Sequence, residues 1–507
     1  MNTKAHFDPA LLTSAQRSAI LFTLTMVTML YAMTVTIANV ALPKMQGSLS
    51  ATQDQIAWVV TFNIVATAVA TPLAGWLAAR MGRRKLMICA VILFAIASVA
   101  CGTANSVEEL VFYRIIQGAS GAPLVPLSQA IVVDTYPKEK HASATAIFGI
   151  GVMLGPIVAP TIGGYVSEAY SWRWVFFMIL PFTLVALAGV LAFIHDRRAP
   201  VKISLDWTGF IALAVAIASF QLMLDRGERN DWFDSTETIM EAALVVVALY
   251  IFIVHTVTTD KPFLNPVMLK DRNYAVGLLI VLAFGMLNFT PITILPTLLQ
   301  QLRGYPDSVI GLVLSARGVG TLIGFTVMAF AGKIDPRYPL TFGFLCQVIA
   351  GYSMWQFDIN LTIMDVLWTT WLQGLGVGLM WVPLSMITFA TLNPKYVPDG
   401  MALFHLLRNI GSSIHISLSI ALVIHTSRMN YSEIREQVTP FNRNFQVPAV
   451  KDVWNTETVQ GLASISTEIG RQATMIGYLN SFAFFAVTAA VAMPLILLIK
   501  KRKNSLV

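Results

Sequence analysis

Six ionisable side chains interrupt long apolar stretches of this chain: Arg114, Asp134, Arg317, His405, Arg408 and His415. A charge at membrane depth is costly unless paired or hydrated, so each is a candidate for chemistry. Arg114 stands about one turn from Gln117 and is expected to face an internal cavity; the competing role is structural, bonding loop or helix carbonyls. At 100° per residue, His405, Arg408, Ser412 and His415 fall within about 80° of one another on one helix face. Histidine titrates near neutral pH, so this stripe can exchange protons or contact an anionic substrate. Equally, it can pack against another helix with no proton traffic. Arg317 has no identifiable partner, and Asp134 closes its apolar run just before Tyr136-Pro137. Thr34, Asn39, Gln117 and Arg317 are expected to line a substrate cavity.

The elements that must hold these residues follow from composition. Hydrophobic residues make up 56% of the 507 and charged residues only 12%, about half the charged share of a soluble domain. Apolar runs long enough to cross a bilayer as helices recur at 18–42, 56–79, 86–104, 110–133, 142–166, 174–194, 207–224, 239–258, 273–301, 308–330, 339–357, 363–391, 400–426 and 474–499. Fourteen transmembrane helices, an all-α membrane protein, are therefore expected. The first run is too long for the core of a cleaved signal and reads as helix one. Cys89, Cys101 and Cys346 all fall inside the runs, with no disulfide or metal spacing, and are expected to serve packing.

The net charge of +7 is a topology signal and not a nucleic-acid footprint. With an even number of spans, about 21 of the Lys and Arg residues fall on the side holding both termini, against about 10 on the other. Both termini are thus expected in the cytoplasm.

The chain also repeats itself at an offset of about 256 residues. Arg114-Ile-Ile-Gln117-Gly118 followed by Val125-Pro126-Leu127-Ser128 has a counterpart in Thr370-Trp-Leu-Gln373-Gly374 followed by Val382-Pro383-Leu384-Ser385. Ala146-Ile-Phe148 with Gly155 matches Ala402-Leu-Phe404 with Gly411. The repeat pairs helices 1–6 with 9–14 and leaves two as an insertion. The expected division is 1–200, a six-helix bundle; 201–262, two inserted helices; and 263–507, a second bundle with a polar outer loop at about 427–473. Two bundles facing a central cavity suit alternating access.

Several stretches resemble a known family. Gly75-Trp-Leu-Ala-Ala79-Arg80-Met-Gly82-Arg83-Arg84-Lys85 is similar to the loop signature of the major facilitator superfamily. Arg114-x-x-Gln117-Gly118-x-x-Gly121 resembles its helix-4 motif, and Gly151-x-x-x-Gly155-Pro156 through Gly163-Gly164 its helix-5 antiporter motif. Thr36-Ile-Ala-Asn39-Val-Ala-Leu-Pro43, Ser171-Trp-Arg-Trp-Val-Phe176, Asp206-Trp207-x-Gly209-Phe210 and Leu224-Asp225-Arg-Gly227 resemble the fourteen-helix drug:proton antiporters of EmrB/QacA type. The similarity spans about residues 20–500 and implies the major facilitator fold, export of amphipathic toxic compounds and proton antiport in a bacterial inner membrane.

The resemblance also implies roles. Arg114 takes the place of an arginine implicated in proton coupling, with His405, Arg408, His415 and Asp134 as further coupling candidates. Arg80, Arg83 and Arg84 become a gate that Asp134 can pair with. The glycines, being small, let neighbouring helices approach closely. Pro156 frees a carbonyl and can bend its helix. Two departures stand out. The acid of the loop signature is Ala79 here, while the second-half counterpart keeps Asp335, so one half of the gate is expected to be held more weakly. Thr34 stands where the branch commonly carries a helix-1 Asp, which unsettles the usual proton carrier.

No P-loop, metal-spaced His/Cys set or nucleophile triad is identifiable, so neither an enzyme nor a cofactor is expected. Gly374-x-Gly376-x-Gly378 lies in an apolar run without a preceding strand and reads as a packing face. The 427–473 loop is a candidate dock for a periplasmic adaptor, or a solvated linker. Aromatic and methionine residues would suit loose substrate binding. Two rivals to drug export remain: export of one metabolite, such as a siderophore or fatty acid, and a non-transporting membrane sensor or scaffold.

Overall fold

The computed structural model describes residues 12–51, 53–137, 140–195, 204–330, 334–439, 442, 447, 454–455 and 458–500. Its long elements are helices, as apolar segments in lipid must be, since only a helix or a closed barrel satisfies the backbone internally. They are α1 (Ser14–Ser48), α2 (Gln53–Ala70), α3 (Leu73–Met81), α4 (Arg83–Thr103), α5 (Val107–Gly121), α6 (Leu124–Thr135), α7 (His141–Ala169), α8 (Trp174–Phe177) and α9 (Ile179–Phe193). The chain continues with α10 (Trp207–Arg226), α11 (Thr236–Thr258), α12 (Arg272–Arg303), α13 (Asp307–Phe330), α14 (Arg337–Trp355), α15 (Ile363–Phe389), α16 (Val397–Glu436) and α17 (Val459–Ala492).

Three expected spans are broken. Pro72 separates α2 from α3 with a 56° bend, and Pro123 separates α5 from α6. The third break, at Met178, precedes Pro181, which has no N–H for the Phe177 carbonyl. Among the described residues, eleven spans meet the length and apolarity needed to cross a bilayer, and the bent α2–α3 pair makes twelve. With α7 and α14 in the two remaining positions, the structure is consistent with fourteen spans.

α1–α9 enclose one apolar core, around Leu24, Phe94 and Phe176. α12–α17 enclose another, around Phe284, Phe344 and Phe404. α7 lies against α1 through its glycines: a Cβ on Gly151 would stand 1.9 Å from Thr25 Cγ2, and one on Gly163 2.4 Å from Ile37 Cγ1. α7 runs through Pro156 without a break. Gly82 adopts φ 87°, outside the range of most L-residues, and turns α3 into α4.

The α10–α11 hairpin packs α10 against α2 and α16. Asp206 organises its base: its carboxylate accepts from Gly209 N at 3.0 Å, capping α10, from Phe263 N at 3.0 Å, and from His255 Nε2 at 2.8 Å. Burial pushes this carboxyl up, but the Gly209, His255 and Phe263 bonds outweigh it and hold the pKa below the ordinary carboxylate value. A depressed pKa stabilises the fold above the unfolded value, about 4, and that contribution is lost as pH falls through the folded value. Asp206→Ala should therefore cost about 1 kcal/mol or more in thermal melts at pH 7. The gap from the parent should narrow in melts at acid pH.

The polar segment at 427–473, expected as an outer loop with room for a short helix at Ser432 to Val438, is helical at both ends: α16 continues to Glu436 and α17 begins at Val459. Thr426, Ser427 and Asn430 bond carbonyls of their own helix, so the polar sequence is compatible with helix. Tyr431 Oη and Ser466 Oγ, 2.9 Å apart, join the two projecting ends. Much of the intervening stretch lies outside the described residues.

Candidate functional site

The face at which α1 begins is here the near face. On it, Arg83 is ion-paired with Asp134, the partner expected for the arginine cluster. Arg84 Nη2 donates to Leu191 O at 2.8 Å, and Arg80 stacks on Trp76, 5.2 Å from the ring centroid. Asp335 accepts from Arg337 N at 3.1 Å and so sets the start of α14. Gly75 sits under the other bundle: a Cβ there would lie 2.0 Å from Asp399 Oδ1. Asp399, in the first turn of α16, was not among the expected site residues. It brings an acid to the motif that carries Ala79.

Further from the near face, the two bundles meet through a polar link. Gln129 Nε2 donates to Ser385 Oγ at 3.1 Å, and Gln129 Oε1 is 2.7 Å from His405 Nε2. His405 and Gln129 are both buried. Ser143 Oγ donates to Ala329 O at 2.8 Å, and Gly149 faces the Phe325 ring. These contacts close the near face.

The expected stripe on α16 divides. His405 faces α6, whereas His415 turns into the second bundle, 2.8 Å from Thr290 Oγ1 and stacked on Phe484 at 4.6 Å. Ser412 bonds Gly285 O at 3.0 Å. A span of ten residues on one helical face reaches about 15 Å along the axis, enough to meet different neighbours. Arg408 lies between them, half-buried, with its guanidinium 5.5 Å from the Trp381 ring centroid.

Arg114 is enclosed within the first bundle, with no exposure, instead of lining a cavity. Its Nε donates to Val59 O at 3.1 Å and Nη1 to Gln117 Oε1 at 2.6 Å; Gln117 Nε2 donates on to Ser98 Oγ at 2.7 Å. Thr34, also expected in the cavity, is buried and donates to Tyr31 O of its own helix at 2.7 Å. The side chain of Asn39 lies outside the described residues.

Arg317 has partners that sequence did not disclose: Gln373 Oε1, and both the carbonyl and Oδ1 of Asn288 at 2.6 Å. The two buried arginines occupy exchanged places. Thr67 Oγ1 donates to Gly118 O and Thr321 Oγ1 to Gly374 O, each at 3.1 Å. A Cβ on Gly118 would meet Asn63 O at 2.3 Å, and one on Gly374 would meet Arg317 O at 2.0 Å. Asn63 thus corresponds to Arg317, Gln117 to Gln373, and Arg114 to Thr370. Each bundle holds one buried guanidinium on its matching glutamine, but from different helices.

α10 touches both bundles. Thr61 Oγ1 of α2 donates to Asp225, and Ser417 Oγ of α16 donates to Leu224 O at 2.7 Å.

The Major Facilitator Superfamily model matches residues 24–415. The chain belongs to the major facilitator superfamily. Within the superfamily it is 35% identical over 438 residues to the multidrug export protein EmrB of Escherichia coli strain K12, covering 86% of each chain, which places it in the EmrB-like branch. It is 32% identical over 470 residues to the fatty acid resistance protein FarB of Neisseria gonorrhoeae, covering 92% of each. Among solved structures, the proton:xylose symporter XylE aligns at TM-score 0.61 with 12% identity, covering 94% of this chain and 95% of that one. That likeness establishes the superfamily fold of two facing bundles. The protein is a multi-pass membrane protein.

Proposed function

We propose that this protein is a multidrug efflux transporter that exports amphipathic toxic compounds by proton antiport. The observation that carries the reading is the match to EmrB along 86% of both chains. Alternating access requires inter-bundle contacts that can break, and the Gln129–His405–Ser385 link is small and polar enough to do so. The six-plus-two-plus-six division supports rocking of two bundles around a central space. The basic excess on the near face favours placing it in the cytoplasm of a bacterium, with the structure closed to that side. The projecting ends of α16 and α17 then offer a dock for a periplasmic adaptor.

Of the proposed proton-coupling residues, His405 is best placed, because its bond spans the two bundles. Arg114 and His415 are enclosed in single bundles, and Asp134 is paired with Arg83. In proteoliposomes with an imposed pH gradient, the parent should move ethidium against its gradient, and His405→Ala should reduce the rate at least tenfold. Dye movement that ignores the pH gradient in the parent protein would sink the antiport reading. FarB favours a second reading, export of one fatty acid or similar metabolite. Drug susceptibility of a deletion strain, set against metabolite accumulation, separates the two.

A further inference from the structure

α11 packs on α10 and on the short turn at Trp232–Asp234. Of its 23 residues only Thr238, Glu241 and Ala248 are buried, while apolar side chains such as Met240, Val246 and Val257 are exposed. The usual amphipathic pattern is inverted: lipid takes the apolar side chains and the protein takes a polar pair. Neither member of that pair is satisfied. Thr238 Oγ1 and Glu241 Oε2 are closed off from solvent and have no hydrogen-bond partner. Glu241 stands about 7.5 Å along the axis from the start of α11, where an unpaired carboxylate is costly and marks a functional group.

Two charges act on Glu241: Glu237, one turn earlier on α11 and exposed, and Arg226, at the end of α10. Asp234, in the turn that also packs on α11, is exposed. Arg226 is only partly occupied. Its Nη1 donates to Glu237, its guanidinium lies 5.8 Å from the centroid of the Trp58 ring of α2, and its buried Nε has no acceptor. Glu237 has a second donor, Asn230 Nδ2 at 3.3 Å, and so is not stranded when Arg226 leaves. Asp225, the adjoining residue, accepts from Thr61 of the same α2. Residues 225 and 226 are thus where the far end of the hairpin grips the first bundle.

We propose that Glu241 is a proton-binding residue whose proton decides which carboxylate Arg226 holds, and thereby how firmly the α10–α11 hairpin grips α2. With the proton on, Glu241 is a neutral acid, and Arg226 stays on Glu237 and Trp58 as it stands here. With the proton off, the buried carboxylate draws the unoccupied Nε inward and forms a charge-assisted bond. Arg226 then leaves the Trp58 ring, and the grip on α2 rests on the Thr61–Asp225 bond alone. The released proton passes to water at the far face, and Arg226 keeps all of its own.

The test uses the full-length protein in lipid nanodiscs. Infrared difference spectra should show a C=O band at the weakly hydrogen-bonded edge of the carboxylic-acid range, lost as pH rises and absent from Glu241→Gln. Spin labels on Thr103→Cys and Thr236→Cys, both exposed, report the distance from the first bundle to the hairpin once Cys89, Cys101 and Cys346 are replaced. In the parent that distance should lengthen with the same pH midpoint as the band. Glu241→Gln should keep it short at every pH, and Arg226→Gln should keep the band but lose the pH dependence of the distance. A band that persists in Glu241→Gln would overturn the proposal. So would a pH-dependent distance that survives in either variant. Neither readout involves a substrate, so the efflux reading stands or falls separately, on ethidium transport under a pH gradient.

Discussion

Replacing Gly75 with leucine will stop transport while leaving both bundles folded. Even a single Cβ at this position would lie 2.0 Å from Asp399 Oδ1 and 3.0 Å from Asp399 Cα. The side chain of Asp399 could rotate away, but its backbone in the first turn of α16 cannot move unless α16 leaves α3. The near face would then be held apart. A closure penalty on the order of 3 kcal/mol shifts the balance between closed and open forms by roughly a hundredfold. Gly75→Ala should show the same defect in weaker form. The measurement is a crosslink between Ser143→Cys and Ala329→Cys, placed where Ser143 Oγ now donates to Ala329 O at 2.8 Å. Cys89, Cys101 and Cys346 are first replaced. The bond should form readily with Gly75 present and fail in Gly75→Leu. Efficient crosslinking in Gly75→Leu would show that the near face closes by another route.

The second large effect concerns the exchanged arginines. Arg114→Thr reproduces the residue at the matching position, Thr370, but leaves Gln117 Oε1 without its donor, while Val59 O keeps the bond of its own helix. A buried acceptor left unsatisfied costs about 1–3 kcal/mol, so the single variant should lose an amount of that order and survive heating in detergent poorly. Adding Asn63→Arg rebuilds, in the first bundle, the arrangement that Arg317 makes with Gln373 in the second. The double variant should recover a large part of the loss. If it is no more heat-resistant than Arg114→Thr alone, the two positions are not interchangeable supports for the central glutamine.

Much of this scaffold was legible in sequence because the bilayer imposes one strong rule, an apolar run of fixed length, and helix covers most of each of the fourteen expected runs, three of them with a break. The Arg83–Asp134 pair was also legible, since both residues stand at run ends on one side. The exchanged arginines were only half legible. The repeat aligned Gln117 with Gln373, but Arg114 faced Thr370 there, and no pattern signalled that Arg317 had taken over from a different helix. The His405–Gln129 bond crosses 276 positions of chain and leaves no local trace. Asp399 was missed because it lies one residue outside the apolar run expected from 400, where an acid reads as a loop residue. Arg114 was expected on a cavity wall because a lone charge in an apolar run suggests water nearby. A carbonyl oxygen of α2 and an amide oxygen of its own helix replace that water, and helical periodicity does not distinguish the two.

The two hydrogen bonds that α10 makes with α2 and α16 use neighbouring residues, Leu224 and Asp225. A link anchored one residue apart has almost no slack, because α10 cannot lengthen between its two attachments. Any motion that widens the distance between Thr61 and Ser417 must therefore detach α10 from one bundle and carry it with the other. Mechanically, the hairpin is a third moving body on one flank of the transporter, so its travel need not be symmetric: the flank covered by α10 is tethered in a way that the α7–α13 flank is not.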